Sequence, residues 1–404
     1  MSTITSDLDA RTPEVVAASE IAVETTAEIV RRLQGSPLLL EAIGLDVTYV
    51  TEEGEVPACR DIDLQLRRGE ILGVAGESAS GKSTLLNALS RLQRPPATTS
   101  AGTVRFHPLE GEPVDLTELG EEQLRRYRWD SLSIVMQSAM ASLNPVLRLD
   151  TQFIDVIMEH DSSMTKARAR ARAGELLEMV GIPSGRLRAY SYQLSGGMQQ
   201  RALIALSLAS NPEVVFMDEP TTAVDVVMQR QILTQILQLQ ATLGFAIVFV
   251  THDLSLLLEI SDRIAIMYGG RIVEVGMPEQ LYTGAKHPYT RGLRASFPPL
   301  SEPVRRLRGI PGNPPDLLDL PPGCAFAPRC PLAIDRCHEE RPELEPTHNG
   351  VVACHRAGEL AEVEKQDEAN PRDSRRLTRP PSNQPDTAHR PGTTTRPDAP
   401  EEER

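Results

Sequence analysis

Gly76-Glu77-Ser78-Ala79-Ser80-Gly81-Lys82-Ser83-Thr84 is the stretch that decides how this chain reads. It follows the apolar run Ile71-Leu72-Gly73-Val74-Ala75 and opens the helical pattern Leu85-Leu86-Asn87-Ala88-Leu89. Strand, glycine-bounded loop and helix, in that order, fit G-x-x-x-x-G-K-[ST], a loop that cradles phosphates. Glycines let backbone N–H groups converge on phosphate oxygens, and the helix N-terminus adds partial positive charge. In that geometry Lys82 reaches the β- and γ-phosphates of a nucleotide, and Ser83 puts its hydroxyl on Mg²⁺. A chance match in a turn is set aside because both flanks that the motif requires are present.

Upstream, Leu39-Leu40-Glu41-Ala42-Ile43 and Leu45-Asp46-Val47-Thr48-Tyr49-Val50 read as two strands, and Cys59 to Leu66 alternates as a third. Tyr49 offers a flat ring that can stack on adenine; the alternative is a tyrosine packed within its strand. Downstream, Gly102-Thr103-Val104-Arg105-Phe106 is a short strand, and Ile134-Val135-Met136-Gln137 is a buried strand ending in a polar side chain. Residues 138–192 turn helical and charged, as in Thr165-Lys166-Ala167-Arg168-Ala169-Arg170-Ala171-Arg172, the solvated face of an inserted helical subdomain. Leu194-Ser195-Gly196-Gly197-Met198-Gln199-Gln200-Arg201 opens a helix over residues 202–210, and adjacent glycines at a helix start make an anion-binding terminus.

Val214-Val215-Phe216-Met217-Asp218-Glu219 is an apolar strand ending in two carboxylates. Asp218 beside a phosphate loop holds Mg²⁺ directly or through water. Glu219, one residue on, can polarise an attacking water. Asp225 precedes a helix over residues 226–243 that Gly244 caps; residues 246–250 form a strand with His252 at its end, near the γ-phosphate. Residues 263–276 read as a hairpin turning at Gly269-Gly270. Alternating β and α elements with apolar strands predict an α/β fold, a parallel sheet covered by helices.

The chain has 404 residues, room for roughly two or three domains. A net charge of −14 makes it a poor partner for nucleic acid through its overall field. Residues 1–12 carry acids rather than a basic then apolar leader, and no apolar stretch approaches the ~20 residues that span a bilayer. The expectation is a soluble chain whose membrane contact goes through a partner. Residues 1–35 are an extension with a helix starting at Thr12-Pro13-Glu14, running through Leu33 and stopping at Gly35. Cys59 is alone, whereas Cys324, Cys330, Cys337 and Cys354 are spaced C-x5-C-x6-C-x16-C. In a reducing compartment such clustering favours metal over disulfides. Four thiolates can close a tetrahedral site or hold a cubane cluster, with His338, His348 and His355 nearby as further ligands. The paired C-x2-C knuckles usual in zinc ribbons are missing.

The set Tyr49, residues 76–84, Gln137, residues 194–200, Met217-Asp218-Glu219, Ala223-Val224-Asp225 and His252 resembles the nucleotide-binding cassette of ABC transporters, over roughly residues 38–280. The resemblance implies a P-loop ABC ATPase fold, a mixed sheet core with a helical subdomain. It implies that Lys82, Ser83 and Asp218 hold MgATP, that Gln137 senses the γ-phosphate and Mg²⁺ and links to the membrane partner, that Glu219 is the general base and that His252 stabilises the transition state. Ser195 and Gly197 would contact the ATP of the opposite subunit, and Gly196, Gln199 and Asp225 are further expected nucleotide-binding residues. Ala79 stands where a glycine is frequent and reads as an unconstrained position of little effect. With one phosphate loop and one signature, the chain must dimerise with itself or with a similar cassette. His287-Pro288-Tyr289-Thr290-Arg291, residues 310–318 and residues 322–331, continuing through Cys337 and Cys354, resemble ATPase subunits of dipeptide/oligopeptide importers. That likeness implies a [4Fe–4S] cluster on Cys324, Cys330, Cys337 and Cys354, in a small C-terminal cysteine-rich metal module; zinc, or thiols uncoordinated or in disulfides, are the alternatives.

The expected organisation is an N-terminal extension (1–36), a cassette (37–284, helical subdomain about 138–192), a C-terminal importer-type domain (285–357) and a disordered tail (358–404). The expected function is an ATP-hydrolysing subunit that powers import of di- or oligopeptides, peripheral on the cytoplasmic face of the cell membrane. Its expected partners are a second ABC ATPase subunit, two transmembrane permease subunits and, indirectly, an extracytoplasmic substrate-binding protein, with no nucleic acid. The same machine importing nickel, glutathione or another small solute is one alternative. A soluble non-transport ABC ATPase is another, and a redox sensor in the cysteine module a further one.

Overall fold

The computed structural model describes residues 24–137, 142–222, 224–296, 309–348 and 350–360. The chain falls into two units, Met1–Ala357 and Gly358–Arg404, and every element named below belongs to the first. The start of the expected N-terminal helix and nearly all of the expected tail lie outside the described residues.

Helix α1 (Thr26–Gly35) starts later than the sequence suggests, because Thr25 and Glu28 cap it reciprocally, and residues 24–25 are not helical. Arg32 pairs with Asp262 and docks the helix on the cassette. The first sheet is antiparallel, in the order β2-β1-β4-β5, from β1 (Leu38–Thr51), β2 (Gly54–Arg67), β4 (Ala97–Phe106) and β5 (Val114–Asp115). Strand β1 is continuous where two strands were expected. Gly44 at φ +54° and register shifts on either side of Leu45 let one strand bend without ending.

The second sheet runs β11-β12-β10-β9-β3-β8-β7-β6. Its centre is β3 (Ile71–Ala75), β8 (Ala246–Thr251) and β7 (Val214–Asp218), with β6 (Leu132–Val135) at one side. Every residue of β3, β7 and β8 is buried, which is why these strands read as unbroken apolar runs. Strands β3, β6, β7, β8 and β9 (Arg263–Tyr268) pair in parallel. Strand β9 turns through Gly269 and Gly270, at φ +57° and +77°, into β10 (Arg271–Gly276). The sheet is thus mixed, as expected of the cassette.

Helix α2 (Lys82–Leu89) follows the phosphate loop directly. In the helical region, α3 (Leu149–His160) precedes α4 (Lys166–Met179). The arginine-rich run is the outer side of α4; Ala169, Ala173, Leu176 and Leu177 are buried on the inner side. Helix α5 starts at Gly196 (Gly196–Ser207), six residues before the expected start, because the Ser195 hydroxyl accepts the Met198 N–H as an N-cap. Helix α6 (Val226–Leu243) has Asp225 as N-cap and Gly244, at φ +75°, as C-cap. Strand β6 ends at Val135, so Gln137 lies beyond the strand, exposed in a turn.

The described part of residues 285–357 shares the cassette's core and sheet. Strand β12 (Gly350–Val352) pairs with β10 and carries β11 (Glu345–Thr347). Phe326, only 2% exposed, packs edge-on against Tyr268 of β9 at 5.2 Å and tilted against Tyr289 of α7 (Pro288–Ser296) at 5.4 Å. Phe326→Ala should therefore destabilise the whole unit, by ~3–5 kcal/mol in denaturant unfolding. A cassette transition that does not move would contradict this shared core.

Candidate functional site

The site is set by strand register. Val74, Val250 and Asp218 stand in one row across β3, β8 and β7, and Val135 of β6 pairs with Met217. The phosphate loop, His252, Glu219 and Gln137 each begin one or two residues past that row. They emerge at the carboxyl edge of the parallel strands, where open α/β sheets bind ligands.

The loop needs both of its glycines. A Cβ on Gly76 would lie 2.4 Å from the Met267 carbonyl oxygen, and one on Gly81, at φ +102°, 2.3 Å from that of Ala58. Lys82 Nζ donates to the carbonyls of Gly76 at 2.9 Å and Glu77 at 2.8 Å, so its ammonium spans the loop. Burial holds that ammonium below the ordinary lysine range, opposed by the charges of Glu219, Asp218 and Glu77. The Tyr49 hydroxyl lies 3.1 Å from that of Thr84, which puts its ring beside the start of α2.

Ser83 Oγ donates to Asp218 Oδ1 at 3.1 Å. Burial raises the Asp218 carboxyl above its usual range, the neighbouring Glu219 adds to that, and the Ser83 hydrogen bond works against it. Two facing oxygen donors, one a buried carboxylate with raised proton affinity, fit a hard cation such as Mg²⁺.

Glu219 sits at φ +45°, unusual for a residue with a side chain, and its N–H donates to the Val250 carbonyl at 2.9 Å. One carboxylate oxygen lies 2.9 Å from His252 Nδ1. The other accepts from Gln137 Nε2 at 3.0 Å and from Thr222 Oγ1 at 2.8 Å. Burial pushes this carboxyl up, but the His252 and Thr222 hydrogen bonds and the charges of His252 and Lys82 outweigh it, leaving Glu219 below the usual range. It is an ionised acceptor at neutral pH. Gln137, Glu219 and His252 thus come together beside Lys82, Ser83 and Asp218. Thr222 was not singled out from sequence; its signal is a hydroxyl three residues past the carboxylate, within Pro220-Thr221-Thr222.

Ser195, Gly196, Gly197, Gln199 and Asp225 form a second group at the starts of α5 and α6. Their hydrogen bonds are local: Gln199 Nε2 to the carbonyls of Ser191 and Leu194, and Asp225 to the Met228 N–H. A Cβ on Gly197 would meet Met228 Sδ at 2.6 Å, so the glycine permits this close approach.

Glu77 departs from the simple phosphate-loop picture. Its N–H donates to the Tyr289 hydroxyl at 2.7 Å, and its carboxylate is held by Arg329. Neither Tyr289 nor Arg329 was given a role from sequence, because nothing local announces a partner 252 residues away.

Cys324, Cys330, Cys337 and Cys354 line one small cavity together with His287 and Phe326. All are free thiols, and burial pushes Cys324, Cys330 and Cys354 up to about 11. His355 also reaches this cavity, whereas His338 and His348 do not line it. Among the described residues, no three His, Cys, Asp or Glu side chains are grouped so as to hold a metal ion.

One expectation is corrected. Ala79 is not unconstrained: it holds φ +62°, the left-handed conformation that glycine adopts without penalty. Ala79→Gly should stabilise the protein by ~1 kcal/mol in denaturant unfolding, and no gain would contradict strain there.

The comparisons with known proteins follow the same pattern. Residues 59–222 match the family described as ABC transporter, and residues 273–337 that described as oligopeptide/dipeptide transporter, C-terminal region. The dipeptide transport ATP-binding protein DppD of Lactococcus lactis subsp. cremoris is 41% identical over 77% of this chain and 89% of the relative. The oligopeptide transport ATP-binding protein OppD of Escherichia coli is 38% identical over 83% of this chain and 98% of the relative. Among solved structures, the dimeric ATP-binding cassette MJ0796, in a post-hydrolysis state bound to ADP and Pi, superposes with a TM-score of 0.53 at 27% identity, over 59% of this chain and 99% of that one. Phosphate loop, paired carboxylates and family matches agree: this chain belongs to the ABC transporter family of ATP-binding proteins.

Proposed function

We propose that this chain is the ATP-hydrolysing subunit that powers import of di- or oligopeptides through a membrane permease. The observation that carries the hydrolytic part is the convergence of Gln137, His252 and Thr222 on Glu219, beside the Ser83–Asp218 pair. The peptide part is supported by the C-terminal region and by relatives named for dipeptide and oligopeptide transport.

In this reading Lys82 and the N-terminus of α2 bind the phosphates of ATP, and Tyr49 stacks on the adenine. Ser83 and Asp218 would hold Mg²⁺, with Gln137 as a further candidate ligand, and the ion would neutralise charge on the phosphates. Glu219 orients a water and accepts its proton as the oxygen attacks the γ-phosphorus and the bond to the β-phosphate oxygen breaks. His252, on the other oxygen of the same carboxylate, keeps Glu219 aimed and stabilises the charge that develops. Ser195, Gly196, Gly197, Gln199 and Asp225 serve the ATP of a second cassette, which is a different ATPase subunit or a second copy. No helix among the described residues is long and apolar enough to cross a membrane. By its likeness to relatives named as transport ATP-binding proteins, the chain works in this reading as a peripheral subunit on the cytoplasmic face, with two transmembrane permease subunits as the path and an extracytoplasmic binding protein delivering cargo.

Cys324, Cys330, Cys337 and Cys354 are proposed to hold a [4Fe–4S] cluster, which would supply a rigid tie between the segments that carry them. What supports this is the importer-type C-terminal region and four cysteines without disulfides lining one small cavity; against it, the described side chains are not grouped as a metal-holding set.

Glu219→Gln should still bind ATP but turn it over about 100-fold more slowly or worse, with ATP-driven peptide uptake lost in parallel. Normal turnover would remove Glu219 from the role of base. Anaerobically purified full-length protein should contain iron and acid-labile sulfide, both lost in Cys337→Ser. Stoichiometric zinc instead would replace the cluster by a zinc site.

A further inference from the structure

The phosphate loop is gripped from outside by the cysteine-bearing segment. Arg329 ends a short turn, Ala327–Arg329, between Cys324 and Cys330. Its Nη1 donates to Glu77 Oε2 at 2.6 Å and its Nη2 to Glu77 Oε1 at 3.0 Å, a two-pronged pair. Nη1 also donates to the Tyr268 hydroxyl at 3.1 Å and Nε to the Pro311 carbonyl at 2.8 Å. The guanidinium lies against the rings of Tyr268 and Phe326, and the Arg329 side chain is only 7% exposed. On the loop side, the Tyr289 hydroxyl takes the Glu77 N–H, so residue 77 is fixed through both backbone and side chain.

This arrangement has an electrostatic logic. Glu77 puts a carboxylate on a loop built to receive a polyanion, and the same residue's carbonyl accepts from the Lys82 ammonium at 2.8 Å. Unpaired, that carboxylate would repel the phosphates that Lys82 attracts. Removing one member of a half-buried ion pair strands the charge of the other. A lysine could restore the charge but not the fork that engages both carboxylate oxygens at once.

We propose that Arg329 is a positioning residue for nucleotide binding: it neutralises Glu77 and holds the first turn of the phosphate loop, so that the C-terminal segment sets the loop's affinity for ATP. This rests on the ATP-site reading above. Because the turn that carries Arg329 is bracketed by Cys324 and Cys330, the cysteine segment and the nucleotide loop are joined through one side chain.

The test is equilibrium binding of a fluorescent ATP analogue with Mg²⁺ to the full-length chain. Lys82→Ala should abolish binding; if it does not, the ATP-site reading fails on its own account. Arg329→Gln should weaken binding about tenfold or more, since it leaves the Glu77 charge stranded in the loop. Adding Glu77→Gln to that variant should bring affinity back to within about threefold of wild type, because the repelling charge is then gone. A loss of packing alone would not be rescued in this way. Wild-type affinity in Arg329→Gln, or a double variant as weak as the single, would overturn the proposal. If Arg329→Gln fails to fold, Arg329→Lys supplies the test through salt dependence. It should bind more weakly than wild type and lose affinity more steeply as salt screens the single remaining charge contact. Parallel salt curves would count against the role.

Discussion

The register of four parallel strands is the constraint on which the site depends. Val74, Val250 and Asp218 share one row, and Val135 faces Met217. A one-residue slip of β7 would turn Asp218 to the other face of the sheet and carry Glu219 away from His252. The slip is opposed by burial on both faces, since every residue of β3, β7 and β8 is inside. Core packing and the geometry of the candidate site are thus one requirement: the apolar runs that exclude water also line up the strand ends. The strain at Glu219, with its side chain at φ +45°, is carried by a backbone bond to Val250 and hydrogen bonds from three side chains.

The C-terminal segment shows the same economy. It lengthens the main sheet through β12, fills the core with Phe326 and reaches the phosphate loop through Tyr289 and Arg329. A region that looks like an appendage in sequence touches the nucleotide loop directly. Cys324 and Cys330 flank the turn that carries Arg329.

Much of this was legible because its signals are local. Helix α6 begins after Asp225 and ends before Gly244, as its caps require, and the hairpin turns at Gly269-Gly270. The strand–loop–helix around Lys82 and the apolar strand ending in Asp218 were readable for the same reason. What stayed hidden depends on long-range geometry or on backbone angles. The Glu77–Arg329 pair joins residues far apart in sequence, and neither type is unusual where it stands. Ala79 hides a left-handed φ behind a small side chain. Strand β1 runs on through Gly44, where a break was expected, because two neighbouring strands hold it. Helix α5 starts earlier than the expected residue 202 because Ser195 caps it and the two glycines form its first turn.

The central claim is that ATP hydrolysis by this chain drives peptides across a membrane. The most direct measurement reconstitutes the chain with its permease partners and binding protein in liposomes, with MgATP sealed inside and labelled dipeptide or Ni²⁺ offered outside. The account predicts accumulation of peptide against its gradient, only with ATP inside and with matching release of phosphate. Nickel accumulating in place of peptide, or peptide entering equally without ATP, would contradict it.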